Sequence, residues 1–388
     1  MDPRAGRLVR QVDGYQAFLP KPLPPDPPIR WDADLVRALS EADLSLGRLD
    51  GVALALPNPN LFVAMYVRQE AVLSSQIEGT EASLDDVLAF EVHAWDPSMP
   101  RDVTEVVNYV RALDAGLELL DKLPLSGRLL REIHRVLLAG PRGADRRPGE
   151  FRTSQNWIGP AGCTLATASF VPPPPHELGD ALAALERFLN DESLPPLVQA
   201  ALAHAQFETI HPFLDGNGRV GRLLITLLLC SRGVLERPLL YLSLFLRQNR
   251  SEYYDRLSAV RDRGDWEGWL RFFFQGTRIT ADDAARVAGA ITTLRQEHLR
   301  SIATERFGRF GAPLLDLLAN QPLVSVKYAA ERLGSTPSTV GGLLDRAVAL
   351  GIVEEITGQR RNRLYRYTPY LDLFETDQAH SVSDRAQA

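Results

Sequence analysis

The twelve residues HPFLDGNGRVGR, at positions 211–222, hold several side chains that can act together on a phosphate. His211 lies four residues before Asp215. A neutral imidazole can accept a proton from an attacking hydroxyl, and a carboxylate is a hard oxygen ligand for Mg²⁺. Arg219 and Arg222 fall on one side of a helical turn and can fork onto phosphate oxygens. Together these residues predict in-line attack on a nucleotide phosphate.

The glycines of the same stretch allow a second interpretation, since Gly216, Gly218 and Gly221 satisfy the dinucleotide-binding spacing G-x-G-x-x-G. That fingerprint needs a hydrophobic strand just before its first glycine and a βαβ unit around it. The preceding residues, VQAALAHAQFETI, favour a helix, and strands do not alternate with helices around them. The glycines are better explained as backbone at a helix N-terminus, where N–H groups and the helix dipole bind an anion.

Helices are predicted to carry this stretch. From Asp32 to about residue 300 apolar residues recur at helical spacing, with Ser83 as one N-cap and His204 as a helix histidine whose hydrogen bonds are satisfied. The exception is a Gly-, Pro- and Thr-rich segment that predicts a short hairpin around 159–162. Residues 1–30 contain LPKPLPPDPPIRW, and so many prolines predict an extended arm on the surface.

Composition and charge describe an ordinary globular chain. Its 388 residues exceed what one compact core usually supports, so two or three domains are expected. A formal net charge of -6 provides no global basic field for nucleic acid, and two cysteines suggest neither a disulfide framework nor a cysteine metal site. The first residues lack a signal peptide's apolar core, and the longest apolar run, 223–230, falls far short of the roughly 20 residues that span a bilayer. The sequence predicts a soluble cytoplasmic protein without membrane contact.

The last hundred residues read as helix, helix, turn, helix and two short strands. Thr336 followed by Pro337 is a strong helix start, and the strands are predicted at 352–356 and 363–367. Between them lies TGQRRN, a turn with two arginines. This order predicts a winged helix, a variant of the helix-turn-helix units that bind DNA. A protein-interaction module of the same shape is the alternative.

The twelve-residue stretch resembles the motif of the Fic family, HPFx(D/E)GN(G/K)RxxR, at every defined position. The resemblance extends over most of 32–300, and a C-terminal winged helix occurs in some family members. It implies a mainly α fold, a Fic-type helical bundle with a small β-hairpin flap, followed by the winged-helix domain. The implied domains are an N-terminal arm and helical region with an inhibitory helix (1–111), a catalytic core (112–300), the winged helix (301–375) and a disordered tail (376–388).

The resemblance implies a protein adenylyltransferase, which moves AMP from ATP to a hydroxyl of a target protein, and to itself, and releases pyrophosphate. By this resemblance His211 is the general base and Asp215 binds Mg²⁺. The implied ATP-binding residues are Gly216, Asn217 and Gly218 as anion hole, Arg219 and Arg222 on the β- and γ-phosphates, and Val220 and Gly221, the latter by close approach of its backbone.

The stretch LSSQIEGT resembles the family's inhibitory motif, (S/T)xxxE(G/N), through Ser74, Glu78 and Gly79. Ser74 and Glu78 are i,i+4 neighbours on one helix face, so their polar groups project together. A carboxylate near Arg222 would occupy the cation meant for the γ-phosphate, and ATP would bind with its α-phosphate misaligned. The sequence therefore predicts an autoinhibited enzyme.

Two further segments gain a role from the resemblance. QNWIGPAGCTLATASFVPP, residues 155–173, is positioned like the family's flap, which pairs with an extended target segment. We call these residues the flap segment. YLSLFLRQNRSEYYDRL resembles the segment that closes the adenosine pocket. Asn249 is predicted to contact the nucleotide there, with Tyr254 as the weaker candidate.

Other functions stay open at this point. Relatives exist that transfer other phosphate-containing groups, and removal of AMP from a target, with Glu78 positioning water, uses the same site. A different class is a transcription regulator with a nucleotide-sensing site, supported by Arg360, Arg361, Arg363 and Arg366 in the predicted wing. The family suggests a homodimer, and the target protein is unknown.

Overall fold

A computed structural model describes residues 2–12, 14–54, 56, 58–92, 102–140, 143–160, 162–305 and 307–374. The tail predicted to be disordered, 376–388, lies outside the described residues. The chain divides into two compact units that are interleaved in sequence. The first comprises Met1–Asp50, Glu70–Thr80 and Thr104–Ala281, and the second comprises Gly51–Gln69, Glu81–Val103 and Asp282–Ala388. The predicted domain boundaries near residues 111 and 300 stay predictions.

The predicted mainly helical fold is confirmed. The helices are α1 Ala33–Leu54, α2 Pro59–Ile77, α3 Leu84–Glu91, α4 Val103–Leu120, α5 Gly127–Leu137, α6 Leu178–Leu189, α7 Pro196–Ile210, α8 Asn217–Ser231, α9 Ser243–Gln248, α10 Arg250–Arg263, α11 Trp266–Thr304, α12 Gly311–Asn320, α13 Val326–Leu333 and α14 Pro337–Ala349. The strands are β1 Gly6–Arg10, β2 Gln16–Pro20, β3 Leu323–Ser325, β4 Glu354–Glu355 and β5 Leu364–Arg366. Within the described ranges, no helix combines the length and the apolar character needed to cross a membrane.

The N-terminal segment of the first unit is a β-hairpin, so the prediction of an extended surface arm was wrong for residues 6–20. Strands β1 and β2 pair in antiparallel register, with Leu8 opposite Phe18. Ala17 and Phe18 are buried. Within residues 6–20 the one proline is Pro20, at the end of β2, so every hairpin residue before it keeps the N–H that strand pairing needs.

Helices α7 and α8 form the centre of the first unit. Every residue of α7 from Leu197 to Ile210 is buried, and a helix covered on all sides has no single apolar stripe. The two helices approach closely at Gly221, where an added Cβ would lie 2.7 Å from Glu208 and 3.1 Å from Phe207. The loop of residues 211–216 therefore starts and ends on two tightly packed helices, which is a rigid support for a functional site.

The flap segment is a wider hairpin than the sequence predicted. Its strands meet in one antiparallel bridge between Ile158 and Phe170, with N–O distances of 2.8 and 3.0 Å. The chain therefore turns through the long loop 159–169 and not tightly at 159–162. Within this loop the Cys163 N–H donates to the Pro160 carbonyl at 3.0 Å, and Ala161 lies outside the described residues.

Residues 308–374 of the second unit run helix, strand, helix, helix, strand, strand. The sheet is antiparallel, with β5 between β3 and β4. The sequence predicted β4 and β5 but missed β3, because a strand of three residues is too short to show alternation. The predicted start of α14 is confirmed, since the Thr336 hydroxyl accepts a hydrogen bond from the backbone N–H of Thr339 and Pro337 is the first helical residue.

Candidate active site

The loop between α7 and α8 is bounded by two residues in the left-handed conformation. Gly216, just before α8, has a φ of 73°, which costs glycine nothing. His211, just after α7, has a φ of 49°, and a side chain there costs about 1 to 2 kcal/mol. Strain of this kind persists only where the surroundings enforce it, and it is common at functional sites. The predicted base is therefore also the strained residue.

The imidazole of His211, the predicted base, is uncharged at neutral pH. Burial lowers the pKa of its imidazole to about 4. Glu78 raises this pKa, while Arg152 and Arg261 lower it further. Nδ1 is buried, which leaves Nε2 as the nitrogen that can face an incoming hydroxyl. At neutral pH the ring can accept a proton without first losing one.

The start of α8 is where the sequence predicts a backbone cradle for an anion. The side chain of Asn217 is engaged inside the loop: its Oδ1 accepts from the Phe213 N–H and its Nδ2 donates to the Phe213 carbonyl, both at 2.9 Å. Gly216, Asn217 and Gly218 are buried. The first N–H groups of a helix have no partner within it, so those of α8 can meet an anion. The side chain of Asn217 thus shapes the loop, and only its backbone is left for the predicted anion contact.

Asp215, the residue predicted to bind Mg²⁺, lies two positions before α8. Its side chain is 49% exposed, and Oδ1 accepts the Gly216 N–H at 2.6 Å. The Nη2 of Arg219 and the Nε of Arg146 lie 3.9 and 4.0 Å from its two oxygens. Across the described ranges, no three or more His, Cys, Asp or Glu side chains group to hold a metal. Mg²⁺ needs only one or two carboxylates when phosphate oxygens and water complete its octahedron, so this donor set fits Mg²⁺ bound with a nucleotide.

Arg222 is held by both polar residues of the predicted inhibitory motif. Its Nη2 lies 2.8 Å from Oε1 of Glu78, its Nε donates to the Ser74 hydroxyl at 2.7 Å, and Nη2 also donates to the Ser74 carbonyl at 2.9 Å. Burial would raise the pKa of Glu78, but the charge and hydrogen bond of Arg222 outweigh burial and lower it. Gly79 follows with a φ of 96°, which lets the chain turn away after α2. The arrangement places a charged carboxylate on the cation predicted for the γ-phosphate.

The carboxylate of Glu78 packs directly against the backbone of Gly218. A Cβ at this position would stand 2.1 Å from Oε1 of Glu78 and 3.0 Å from Nη1 of Arg222. A side chain at residue 218 would therefore have to displace the Glu78 carboxylate from its present position. Gly218 thus leaves room for the contact between Glu78 and Arg222.

Arg219 is also paired with a carboxylate. Its Nη1 lies 3.0 Å from Oε2 of Glu105, near the start of α4, and its side chain is only 5% exposed. Sequence analysis did not single out Glu105, because it lies outside both motifs. Both arginines of the stretch are therefore pre-positioned by acidic partners.

Two family domains match consecutive parts of the chain. The Fic/DOC family N-terminal domain matches residues 36–118, and the Fic/DOC family domain matches residues 124–229. The second range contains the whole loop and both arginines, and the first contains the predicted inhibitory motif. The chain carries both domains of the Fic/DOC family.

Curated relatives carry the name Protein adenylyltransferase Fic. The chain is 35% identical to that of Drosophila grimshawi over 167 residues, which cover 42% of this chain and 31% of the relative. It is 34% identical to that of Drosophila virilis over 199 residues, which cover 50% of this chain and 37% of the relative. The chain thus spans about a third of the length of these relatives.

The fold is shared with a solved Fic family protein. The crystal structure of a Fic family protein from Desulfovibrio desulfuricans G20 superposes with a TM-score of 0.58 at 22% identity, covering 88% of this chain and 97% of that chain. At this identity the likeness shows the fold alone. It supports the Fic-type fold predicted from the sequence.

Two residues of the Fic motif face the protein core. The side chain of Val220 is fully buried, so only its backbone is available to a nucleotide. Gly221 was predicted to approach the nucleotide, but the structure gives a different reason for this glycine: it packs against α7, and its carbonyl accepts a hydrogen bond from the ring of His204 at 2.9 Å. The other ring nitrogen of His204 bonds to the Tyr253 hydroxyl at 2.8 Å, which confirms His204 as a satisfied helix histidine.

Asn249 and Tyr254 differ in their relation to the Fic motif. Asn249 joins α9 to α10, and its Nδ2 donates to the Phe245 carbonyl at 2.9 Å. Tyr254 is 39% exposed. Burial, followed by the charge of Glu78, raises the pKa of Tyr254, and Arg222 opposes them. Tyr254 is therefore close enough to interact electrostatically with Arg222 of the motif. The side chain of Asn249 instead caps the C-terminal end of α9.

Arg152 and Asn156, which the sequence analysis missed as site residues, hold the backbone of the loop of residues 211–216, which we call the Fic loop. Arg152 donates from Nε to the His211 carbonyl at 2.9 Å and from Nη2 to the Pro173 carbonyl at 2.6 Å. Asn156 donates from Nδ2 to the carbonyls of His211 and Phe213, at 3.2 and 2.9 Å. Burial lowers the pKa of Arg152 to about 10, so it remains charged at neutral pH. These donors secure the left-handed turn at His211.

His134 of α5 supports the same loop and was also missed. Its Nδ1 accepts the Gly149 N–H at 2.8 Å, so Nε2 carries the proton and donates to the Asp215 carbonyl at 3.1 Å. Its ring stacks on Phe213 at 3.8 Å between centroids, and burial lowers the pKa of His134 to about 4. A lone histidine in a helical pattern gives no signal of this role, because its partners are backbone groups distant in sequence.

Proposed function

We propose that this Fic protein transfers AMP from ATP to a hydroxyl group of a protein, under restraint by Glu78. The observation that carries the proposal is the geometry around the Fic loop. A neutral His211 lies at one end of it, and the other end opens α8 with the two buried arginines Arg219 and Arg222. The name of the curated relatives, protein adenylyltransferase, supports the same reaction.

In this proposal the hydroxyl oxygen of the target attacks the α-phosphorus of ATP in line with the leaving group. The proton of that hydroxyl passes to Nε2 of His211. The bond between the α-phosphorus and the oxygen bridging to the β-phosphorus breaks, and its electron pair leaves with pyrophosphate. The backbone N–H groups at the start of α8 face the charge that develops on the phosphate, and Arg219 and Arg222 hold the β- and γ-phosphates.

Asp215 is the residue that would hold Mg²⁺. The cation, when bound, neutralises phosphate charge and orients the leaving group. His134 and the Gly216 N–H fix the Asp215 carbonyl and Oδ1 respectively, so the carboxylate is oriented by the protein before the nucleotide arrives.

Restraint follows from competition for one guanidinium. Arg222 donates to Glu78 and to Ser74 and is only 3% exposed. A γ-phosphate can take this position only if the Glu78 carboxylate leaves it, because two anions at one guanidinium repel each other. We infer that the active form has Glu78 displaced from Arg222, with Ser74 still in contact.

The C-terminal part of the chain adds a second element to the proposal. We propose that the 301–375 region, with its sheet order β3-β5-β4, is a winged helix that contacts DNA or protein. Arg363 and Arg366 of the wing pair with Asp345 and Asp85, at 2.8 and 3.4 Å. This pairing reduces the charge available to a DNA phosphate backbone and favours a protein partner. A cytoplasmic location, expected from the sequence, and a homodimer, suggested by the family resemblance, remain parts of the proposal.

The transfer reaction is tested with ATP labelled at either the α- or the γ-phosphate, incubated with Mg²⁺ and the Glu78→Gly protein. Label retained on protein from the α-position only, and lost in the Glu78→Gly, His211→Ala double variant, is the expected result. Retention from the γ-position would mean a kinase-like reaction. Absence of label from both positions would contradict AMP transfer, and release of AMP from a previously modified protein would then identify the reverse reaction.

A further inference from the structure

The N-terminal hairpin of β1 and β2 is fixed to the helical core at both of its ends. Before it, Arg4 donates from Nη1 and Nη2 to the carboxylate of Glu267, both at 2.7 Å. After it, the Lys21 carbonyl accepts from Gln206 of α7 at 2.8 Å, and the Arg30 N–H donates to Glu267 at 2.8 Å. Burial alone would raise the pKa of Glu267, but the hydrogen bonds from Arg4 and Arg30 bring it to about 2. The anchor is therefore charged throughout the neutral range.

The middle of the hairpin touches the flap segment at three points. The Phe18 N–H donates to the Val171 carbonyl at 2.9 Å, and the Phe18 ring lies 5.8 Å from the ring of Phe170 between centroids. The hydroxyl of Tyr15 donates to Oε1 of Gln155 at 3.2 Å. Backbone and side-chain contacts thus reach both strands of the flap segment.

These contacts make the flap segment part of a larger β-surface. Its bridge between Ile158 and Phe170 continues through the Phe18–Val171 hydrogen bond into β2, and from β2 into β1. On its other side, the guanidinium of Arg261 stacks over the Phe170 ring at 4.1 Å. A flap joined by a single bridge would be marginal alone, since isolated two-stranded hairpins are hardly stable in water.

We propose that the N-terminal hairpin is a fixed support for the flap segment and sets where that segment stands over the catalytic loop. The second clause rests on the proposed function, because only a transferase needs the flap to present a hydroxyl to His211. The hairpin precedes residue 36, where the first matched Fic/DOC range begins. The support is therefore a feature of this chain outside the matched family domains.

The two ends of the flap segment, near Asn156 and Pro173, are connected by hydrogen bonds to the backbone of His211. Tyr15 contacts Gln155, and the next residue, Asn156, donates to the His211 carbonyl at 3.2 Å. Arg152 donates both to this His211 carbonyl and to the carbonyl of Pro173, at the other end of the flap segment. A shift of the flap therefore changes the place of a bound target segment relative to the base, and misplacement by an ångström can cost about 100-fold in rate.

The support is tested by hydrogen exchange of the whole protein, followed by mass spectrometry. Phe18→Ala removes the ring contact with Phe170, and we expect exchange of flap peptides spanning 156–171 to accelerate about fivefold or more. Amides of α8 report global opening and are expected to stay protected. Leu8→Ala is the matched control, since Leu8 is an apolar residue of the same hairpin that is 50% exposed. Tyr15→Phe deletes one hydrogen bond without creating a cavity and should change the flap in the same direction.

Unchanged flap exchange in both Phe18→Ala and Tyr15→Phe would overturn the proposal. If Phe18→Ala also exposes α8, the protein is globally destabilised, and Tyr15→Phe alone decides. In the Glu78→Gly background, self-labelling from ATP should fall about fivefold or more in Phe18→Ala, while binding of a fluorescent ATP analogue should be unchanged. Faster flap exchange without any labelling, even in Glu78→Gly, would refute AMP transfer and leave the hairpin as a support. Faster exchange with full labelling would refute its role in placing the target.

Discussion

The Nη2 of Arg222 lies 2.8 Å from Oε1 of Glu78, and the same carboxylate oxygen lies only 2.1 Å from where a Cβ at residue 218 would stand. The contact joins two motifs that are far apart in sequence. It occupies the cation on which the γ-phosphate would be held. We expect this single ion pair to dominate the control of the site, since the carboxylate and a triphosphate compete for the same guanidinium.

Removal of the carboxylate should activate the enzyme. We expect Glu78→Gly to raise protein labelling from α-labelled ATP by roughly 10- to 100-fold, because the γ-phosphate can then reach Arg222 and align the α-phosphate. Glu81→Gly is the matched control, since Glu81 is an exposed carboxylate three positions further on that is not part of either motif. Equal labelling by Glu78→Gly and wild type would rule out the restraint.

The pH dependence of labelling should show that His211 is already unprotonated at neutral pH and acts as the base. Burial lowers the pKa of His211 to about 4, and the charge of Glu78 acts to raise it, so this pKa should not rise in Glu78→Gly. The base is then unprotonated throughout the usual range, and the rate should be nearly flat from about pH 8 down to about pH 5. A rate that halves near pH 6.5, the ordinary value for histidine, would contradict this assignment.

Arg152 should affect the rate of the reaction and not the affinity for ATP. Lysine keeps the charge but cannot bond the carbonyls of His211 and Pro173 as a fork. We expect Arg152→Lys in the Glu78→Gly background to lower kcat by about 10- to 100-fold with KM for ATP unchanged. Arg147→Lys is the control, because Arg147 is exposed and its side chain donates to the Thr153 hydroxyl and not to the loop of residues 211–216. A rise in KM for ATP at constant kcat would assign Arg152 to nucleotide binding.

Gly221 should prove to be a packing residue. A Cβ there would meet Glu208 at 2.7 Å and Phe207 at 3.1 Å, so Gly221→Ala should destabilise the fold by about 1 to 3 kcal/mol. Gly47→Ala is the matched control: it lies within α1 with nothing within 4 Å of an added Cβ, and should be neutral or stabilising by about 0.5 to 1 kcal/mol. Chemical denaturation measures both. A stable Gly221→Ala protein with weakened ATP binding would restore the nucleotide role first predicted.

The buried carboxyl of Glu208 should reveal itself in the pH dependence of stability. Burial raises its pKa from 4.5 to about 7. Between these values the folded protein holds a proton that the unfolded chain has released, so the stability from this group is lost as pH rises towards 7. Glutamine does not ionise, and we expect Glu208→Gln to be more stable than wild type by about 1 to 3 kcal/mol near pH 8, with no gain near pH 4.

Thermal unfolding at both pH values checks the Glu208 prediction. Glu132→Gln replaces an exposed carboxylate on α5 and should change the stability by less than about 0.5 kcal/mol at either pH. A gain from Glu208→Gln that is the same at both pH values would show that the effect is not one of ionisation.

The helical fold, the helix start at Thr336 and the candidate residues of the site could be predicted from the sequence alone. His211, Asp215, Arg219 and Arg222 fall within one short loop and helix start, where spacing alone brings side chains together. The pairing of Ser74 with Glu78 on one helix face was likewise local. Each of these inferences needed only the geometry of a helix or a turn.

Tertiary structure decided everything that depends on distant partners. Whether Glu78 reaches Arg222 depends on the packing of one helix end against another, and the sequence supplied it only through a family motif. The roles of Arg152, His134 and Glu105 could not be predicted, because their partners are backbone carbonyls or charges brought together by the fold. The N-terminal hairpin could not be predicted for the same reason. Its strands are stabilised by burial of Phe18 against the flap segment, a contact between parts of the chain about 150 residues apart. Local patterns specify elements, but long-range packing specifies which elements meet.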